Sequence, residues 1–436
     1  LMAVSARVLA TPLYVDLDGS LFRSDVLLES LLLLLKHNPL YLVLVAGWLL
    51  RGGKARLRAE LASRVTLNPA ALLYNKELLA RLKNARDTGR QLWLCTTDNT
   101  QLAAKVVEHL EFFDGVISGK AQEHAARFAE GAFDYCEDSP GVRGSKRYRA
   151  ILRAVRPHQW AKNVLVFVPL FAAHRAGDLF SLASALAAFA AFCLCASSVY
   201  ILNDMLDLEA DRAHVRKSRR PFASGDLSLA TGMVLAPLLL VTAVLVAAAL
   251  PEKFQLVLGS YYLLTVAYST VLKRFLLLDA VALAGLYTLR IIAGAGAVSV
   301  ALSFWLLLFS VFLFLSLALV KRYAELDALR RQQKLQALGR GYRVEDLAVL
   351  QSFGTAAGYL SVLILALYIN SPEIEPLYHR PKVIWTLCVL LLYWISRVWM
   401  TAHRGSMHDD PVVYALKDRV SLGLGLLAAI AIAIAI

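Results

Sequence analysis

Only five cysteines occur in 436 residues, and none stands at the spacing of a metal knuckle or a disulfide framework. They are Cys95, Cys136, Cys193, Cys195 and Cys388; Cys193 and Cys195 fall in an apolar helical stretch, where small buried hydrophobes are expected. Charged side chains are also scarce, 18% of the chain against 58% hydrophobic residues. The formal charge of +13 would suit nucleic acid, but no basic groove with interleaved aromatics accompanies it, so no nucleic-acid partner is expected. A secretory leader is not expected either, because Asp16 and Asp18 directly follow the first short apolar run.

What is present is a long succession of apolar runs after about residue 160. They predict nine membrane spans, near 160–176, 180–202, 228–250, 254–272, 278–298, 301–320, 347–370, 382–401 and 420–436. Loops after the even spans carry several times as many Lys and Arg as loops after the odd spans. That asymmetry assigns the even loops, and the N-terminal region, to the cytoplasmic side of a bacterial inner membrane. Residues 1–145 are polar enough for a separate soluble domain, leaving 146–436 as the membrane domain.

Within the N-terminal region, Val8 to Val15 and Gln91 to Cys95 read as buried strands, and Phe133 to Cys136 as a third. Strands alternating with helices imply a parallel α/β sheet. A mostly helical insertion lies between the first two strands. Its apolar stretches, Val26 to Leu35 and Leu40 to Leu50, are each too short to cross a bilayer; a helical hairpin and an interfacial segment are both open.

The densest chemistry sits where the second span breaks into a charged loop: Asn203, Asp204, Asp207 and Asp211. At a helix end, that spacing puts the three aspartates on one face. Carboxylates so placed repel unless a cation lies among them, and Mg²⁺ favours carboxylate and phosphate oxygens. The bland alternative is an acidic, solvated helix terminus. Arg212, Arg216, Lys217, Arg219 and Arg220 follow at once, so the pair of patches suits a diphosphate. A second polar cluster, Lys321-Arg322-Tyr323-Ala324-Glu325-Leu326-Asp327, opens the loop after the sixth span. Glu325 and Asp327 are expected to complete metal coordination there, with Lys321 and Arg322 on phosphate oxygens; the alternative is a helix-surface ion pair. Arg156, Gln159, Lys162 and Asn163 precede the first span, and Tyr268, Lys273, Arg274 and Asp279 fill the fourth-to-fifth loop. Arg290 lies inside the fifth span, a costly position that calls for a partner or a wet cavity. The polar run His403 to Pro411 reads as a surface loop.

The segment Asn203 to Asp211 resembles the first aspartate-rich motif of the UbiA superfamily of intramembrane prenyltransferases. Tyr268 to Asp279 and Lys321-Arg322-Tyr323 are also similar to stretches of that superfamily, over roughly residues 150–436. The resemblance implies a polytopic all-α bundle with a lipid-accessible cavity, and Mg²⁺-dependent transfer involving a diphosphate and a polyprenyl chain. The second motif departs from the aromatic prenyltransferases, which carry Asp-x-x-x-Asp, and looks closer to the decaprenyl-phosphate phosphoribosyltransferase-like subgroup. In that subgroup phosphoribosyl pyrophosphate is the donor and a polyprenyl phosphate the acceptor. On this reading Asp204, Asp207 and Asp211 hold Mg²⁺. Lys321, Arg322 and nearby arginines such as Arg220 stabilise the departing pyrophosphate, Asn203, Tyr268 and Tyr323 are further substrate-binding residues, and Lys162, Lys273 and Arg290 are candidates to hold the acceptor phosphate. The alternative is a polyprenyl diphosphate donor with an aromatic or other small acceptor.

Asp16-Leu17-Asp18-Gly19-Ser20 follows the first strand, and two aspartates two apart there suit phosphoryl transfer. Asp16 would be nucleophile and Mg²⁺ ligand, Asp18 general acid and base, and Thr96 a donor to phosphate. These residues resemble the first two motifs of haloacid-dehalogenase-like phosphatases, whose helical cap corresponds to the insertion. Asp138 is the candidate further metal ligand and Lys120 the nearest lysine, but the usual second acidic residue after Asp138 is absent. Such a domain would remove the 5-phosphate from a phosphoribosyl lipid.

Overall fold

A computed structural model describes residues 12–17, 21–97, 99–125, 144–333, 341–371, 378–407 and 410–436. The chain forms two compact units: Leu1–Val155 with Tyr200–Pro237, and Arg156–Val199 with Leu238–Ile436. In chain order the described elements before the apolar half are β1 (Leu13–Asp16), α1 (Val26–His37), α2 (Tyr41–Arg64), α3 (Lys76–Asp87), β2 (Leu92–Thr96), α4 (Thr100–Leu110), β3 (Gly115–Ser118), α5 (Ala121–Ala125) and α6 (Gly144–Val155). They are followed by α7 (Val168–Ala172), α8 (Leu179–Leu206), α9 (Leu208–Arg212), α10 (Leu229–Ala248), α11 (Glu252–Thr270), α12 (Leu278–Ala297), α13 (Phe304–Arg331), α14 (Leu347–Ile369), α15 (Pro381–His403), α16 (Pro411–Lys417) and α17 (Arg419–Ala435).

In the first unit the three strands pair in the order β1-β2-β3, all parallel, with Asp16 opposite Cys95 and Thr96 opposite Ser118. Alternation sorts the side chains: Leu13 and Val15 join Leu92, Leu94, Leu102 and Val106 on one face, while Tyr14 and Cys95 meet Ala121 on the other. Asp25, Asn75 and Asn99 cap α1, α3 and α4 by accepting backbone N–H groups of the first turn. The first two expected strands form where their apolar runs lie. The third expected strand, Phe133 to Cys136, lies outside the described residues. The third strand observed, Gly-Val-Ile-Ser at 115–118, is too short to stand out as an apolar run. The insertion is a helical hairpin, with Leu31 and Leu34 of α1 against Val45, Trp48, Leu57 and Leu61 of α2. Gly53, at φ +60°, breaks α2 in a backbone conformation that only glycine takes cheaply.

Six described helices are long and apolar enough to cross a bilayer: α8, α10, α12, α13, α14 and α15. A seventh joins them if α16 and α17, bent by 80°, count as one span. This falls short of the nine predicted from apolar runs. The stretch 160–176 is not one helix but a 3₁₀ segment, Pro157–Phe167, followed by the five residues of α7. The stretch 254–272 forms α11, whose Ser260, Tyr261, Tyr262, Thr265, Tyr268, Ser269 and Thr270 dilute its apolar content.

The second unit is built around α12 and α13, where Tyr287, Ile291, Phe314, Leu317 and Tyr323 pack with Trp399 of α15. Gly294 sets the approach of α12 to the 3₁₀ segment, since a Cβ there would collide with the Val166 carbonyl. That close contact fixes the backbone carrying Lys162 and Asn163.

Candidate active site

The aspartate-rich motif belongs to the first unit. Asn203 and Asp204 occupy the last turn of α8, and Asp207 starts α9, with its N–H on the Asn203 carbonyl at 3.0 Å. Asp204 and Asp211 are both buried, and both accept from Arg220 Nη1, at 3.0 Å and 2.6 Å. Burial raises the Asp211 pKa, against the opposing pull of Arg220. Asp207 points elsewhere: its Oδ1 takes Lys36 Nζ of α1 at 2.9 Å. The next turn is held the same way, with Arg212 on both oxygens of buried Glu29, at 2.6 Å and 3.0 Å, and Asn68 Nδ2 on Glu209 at 3.1 Å. Glu29, Lys36, Asn68, Met205, Glu209 and Arg212 line a small cleft there.

The three aspartates therefore do not gather on one point. Among the described residues no group of three His, Cys, Asp or Glu is placed to hold a metal ion. Asp204 and Asp211 nevertheless converge on one positive centre, the Arg220 guanidinium, which stands where a hard cation would be accepted by two carboxylates. The donor chemistry of that pair fits Mg²⁺; Asp207 contributes only by exchanging Lys36.

The second unit holds a buried cationic node. The Asp410 carboxylate accepts from Lys162 Nζ at 2.9 Å, from Lys321 Nζ at 3.2 Å and from the Tyr287 hydroxyl at 3.0 Å. Lys162 also lies 5.9 Å from the Tyr287 ring centroid, and Arg290 lies 5.3 Å from it. Arg290 is buried and donates to neutral acceptors: Asn163 Oδ1 at 2.9 Å, the Leu286 carbonyl at 2.5 Å and the Tyr261 hydroxyl at 3.0 Å. Two lysines thus meet on the Asp410 carboxylate, and Arg290 joins them at the ring of its tyrosine partner. Burial pushes the Lys162 ammonium down to about 8, although Asp410 works in the opposite direction. Burial alone would raise the Asp410 carboxyl, but Lys321 and Lys162 overcome it and hold the group well below the usual range.

Arg322, expected on substrate phosphate, is instead consumed internally. Its side chain is almost wholly buried, pairs with Asp279 at 2.5 Å and Glu325 at 2.6 Å, and donates to the Tyr268 hydroxyl at 2.8 Å. Glu325 and Asp327, expected as metal ligands, face arginines: Asp327 takes Arg330 at 2.6 Å and Arg331 at 2.9 Å. Tyr323 is buried, its hydroxyl 2.9 Å from His403 Nδ1. Lys273 sits in the 3₁₀ turn Leu272–Arg274 between α11 and α12. In the soluble portion, Asp16 ends β1 and its Oδ1 accepts the Ala121 N–H at 2.9 Å. Thr96 ends the neighbouring strand and accepts the Asn99 N–H at 3.2 Å. Asp18 and Asp138 lie outside the described residues.

Sequence reading missed Asp410, Tyr287, Lys36 and Glu29. The run containing Asp410, read as a surface loop, is the hub of the cationic node; its side chain keeps only 11% of its exposure. A signal for the last two was available. Glu29 and Lys36 stand seven apart in an otherwise leucine-rich helix, so they share a face.

The family model described as the UbiA prenyltransferase family matches residues 164–417. An uncharacterised protein of Sinorhizobium fredii, y4nM, is 35% identical over 97% of this chain and 91% of its own length. A decaprenyl-phosphate phosphoribosyltransferase of Mycolicibacterium smegmatis is 39% identical over 42% of this chain and 58% of its own length. Among solved structures, a UbiA homolog from Archaeoglobus fulgidus bound to DMAPP and Mg²⁺ superposes with TM-score 0.50 at 17% identity. It covers 65% of this chain and 97% of that one, a likeness of fold.

Proposed function

The chain belongs to the UbiA prenyltransferase family, and from that premise we propose that it transfers 5-phosphoribose from phosphoribosyl pyrophosphate to a polyprenyl phosphate. The observation that carries this choice is the node in which Lys162, Lys321 and Arg290 gather around Asp410 and Tyr287. An excess of positive charge, two of its three cations buried, suits an acceptor that arrives as a phosphate monoester; an aromatic acceptor brings no such charge. The relatives named as decaprenyl-phosphate phosphoribosyltransferases support the same substrate pair.

Lys162 and Lys321 take the acceptor phosphate, with Asp410 holding both ammonium groups in place before it arrives. The acceptor oxygen attacks the anomeric carbon, the bond to pyrophosphate breaks, and its electron pair leaves with pyrophosphate. Being already anionic, the acceptor needs placement more than deprotonation. Asp204, Asp211 and Asp207 would hold Mg²⁺, which would supply charge neutralisation for the pyrophosphate. Arg220 and Lys36, the cations beside those carboxylates, would donate to pyrophosphate oxygens. We place the site on the cytoplasmic side of the inner membrane, where the donor is water-soluble.

A pH dependence follows. The charged form of Lys162 binds phosphate, and its depressed pKa of about 8 means that charge is present below that pH and lost above it. KM for polyprenyl phosphate is expected to rise as pH increases through about 8. Lys162→Met is expected to raise KM roughly tenfold or more at pH 7 and to remove that rise. A pH profile unchanged by the substitution contradicts the role. The reaction itself is tested with purified protein, Mg²⁺ and ribose-labelled phosphoribosyl pyrophosphate: label should enter lipid only when polyprenyl phosphate is supplied. Labelled lipid formed only from polyprenyl diphosphate and an aromatic acid overturns the reading in favour of prenylation.

A second activity rests on its own observation. Asp16 and Thr96 end adjacent parallel strands, and the Asp16 carboxylate receives the N–H that opens α5, the arrangement in which α/β sheets bind phosphate at their carboxyl ends. We propose that this sheet edge, a haloacid-dehalogenase-like site, removes the 5-phosphate of the phosphoribosyl lipid.

A further inference from the structure

The hairpin of the first unit carries a surface that neither the sheet nor the aspartate motif uses. Val45 and Trp48 turn inward onto Leu31, Leu34, Leu57 and Leu61. Tyr41 packs on the same core, but Leu40, Leu42, Val43, Leu44, Leu49 and Leu50 are exposed, Val43 to 75% and Leu50 to 88%. A single exposed leucine is ordinary, but six large apolar side chains exposed within eleven residues mark a surface that meets something apolar. Immediately beyond it, Arg51, Lys54, Arg56 and Arg58 are exposed, and no Asp or Glu occurs from residue 38 to residue 59. Gly53 breaks the helix between Arg51 and the other three, so the basic stretch diverges from the axis of the apolar turns.

We propose that the hairpin tip, from Leu40 to Arg58, is an interfacial membrane anchor that lays its apolar face among acyl chains and its basic residues on anionic lipid headgroups. The length argues against a span: ten residues of helix from Tyr41 to Leu50 reach about half of a hydrocarbon core. An apolar face bordered by Lys and Arg is what a helix lying in the plane of the interface requires. Charge argues against a second copy of the same chain as the occupant. A two-fold contact over this patch would bring two basic stretches towards each other, whereas acidic headgroups complement them. The anchor involves none of the residues assigned to either reaction, so it stands or falls independently of them.

The test uses the full chain in nanodiscs of mixed neutral and anionic phospholipid. The four cysteines among the described residues are buried. With Cys136→Ser as background, Val43→Cys carries an environment-sensitive fluorophore, and Lys83→Cys on the exposed face of α3 serves as reference. Lipids spin-labelled near the headgroup should quench the Val43 site at least about threefold more than the Lys83 site. Adding Leu50→Glu, or using neutral lipid alone, should lower that quenching. Equal quenching at both sites overturns the proposal. So does self-quenching between labelled copies in detergent, which would make a second copy the occupant.

Discussion

Asp204→Asn is expected to lower transfer about 10²- to 10³-fold while leaving the folded protein intact. The substitution keeps the size of a buried side chain and removes its charge. Arg220 would retain Asp211, so the guanidinium is not left stranded, and the local structure has a partner to rely on. What is lost is one of the two carboxylates that converge on Arg220, and with it one of the three negative charges assigned to Mg²⁺. The effect should fall on kcat/KM for the donor and should not be rescued by raising the acceptor concentration. Initial rates of lipid labelling over a Mg²⁺ series measure it. A variant as active as the unmodified protein would remove the aspartate motif from the donor site.

Arg322→Met should act on stability instead. Arg322 and Asp279 are almost entirely buried, and Tyr342 donates its hydroxyl to the same Asp279 carboxylate. Removing the arginine leaves Asp279 charged, buried and held mainly by a phenol, a loss of about 3–5 kcal/mol. Melting in detergent should fall by roughly 10 °C. The double variant Arg322→Met with Asp279→Asn should recover part of the loss, because neither charge is then left alone. If Arg322→Met melted normally and only raised KM for substrate, the residue would be a phosphate ligand, as the Lys321-Arg322 pattern suggests, and not an internal strut.

These two residues mark how far the sequence could be read. The pairing of Asp204 with Asp211 is legible because their residue type and spacing are local, but the break between α8 and α9 at Asp207 turns that third aspartate to Lys36 instead. The parallel pairing of β1 and β2 is legible because each is a short apolar run and a mostly helical stretch lies between them. Arg322 was misread for the opposite reason: its partner Asp279 comes from another helix, and nothing in the local order of Lys321, Arg322 and Tyr323 tells which cation turns inward. Asp410 lies 248 positions from Lys162, and Lys36 lies 171 from Asp207. Such pairings arise only when the helices pack. A polar stretch such as His403 to Pro411 looks like solvent-facing loop until the largely covered Asp410 carboxylate is seen between two lysines.

The mass of the lipid made by the Asp16→Asn protein bears most directly on the assigned chemistry. With phosphoribosyl pyrophosphate and polyprenyl phosphate supplied, the product should be a phosphoribosyl polyprenyl phosphate carrying two phosphates, with one pyrophosphate released per lipid. A prenylated small acceptor, or lipid whose mass does not change, would contradict the account.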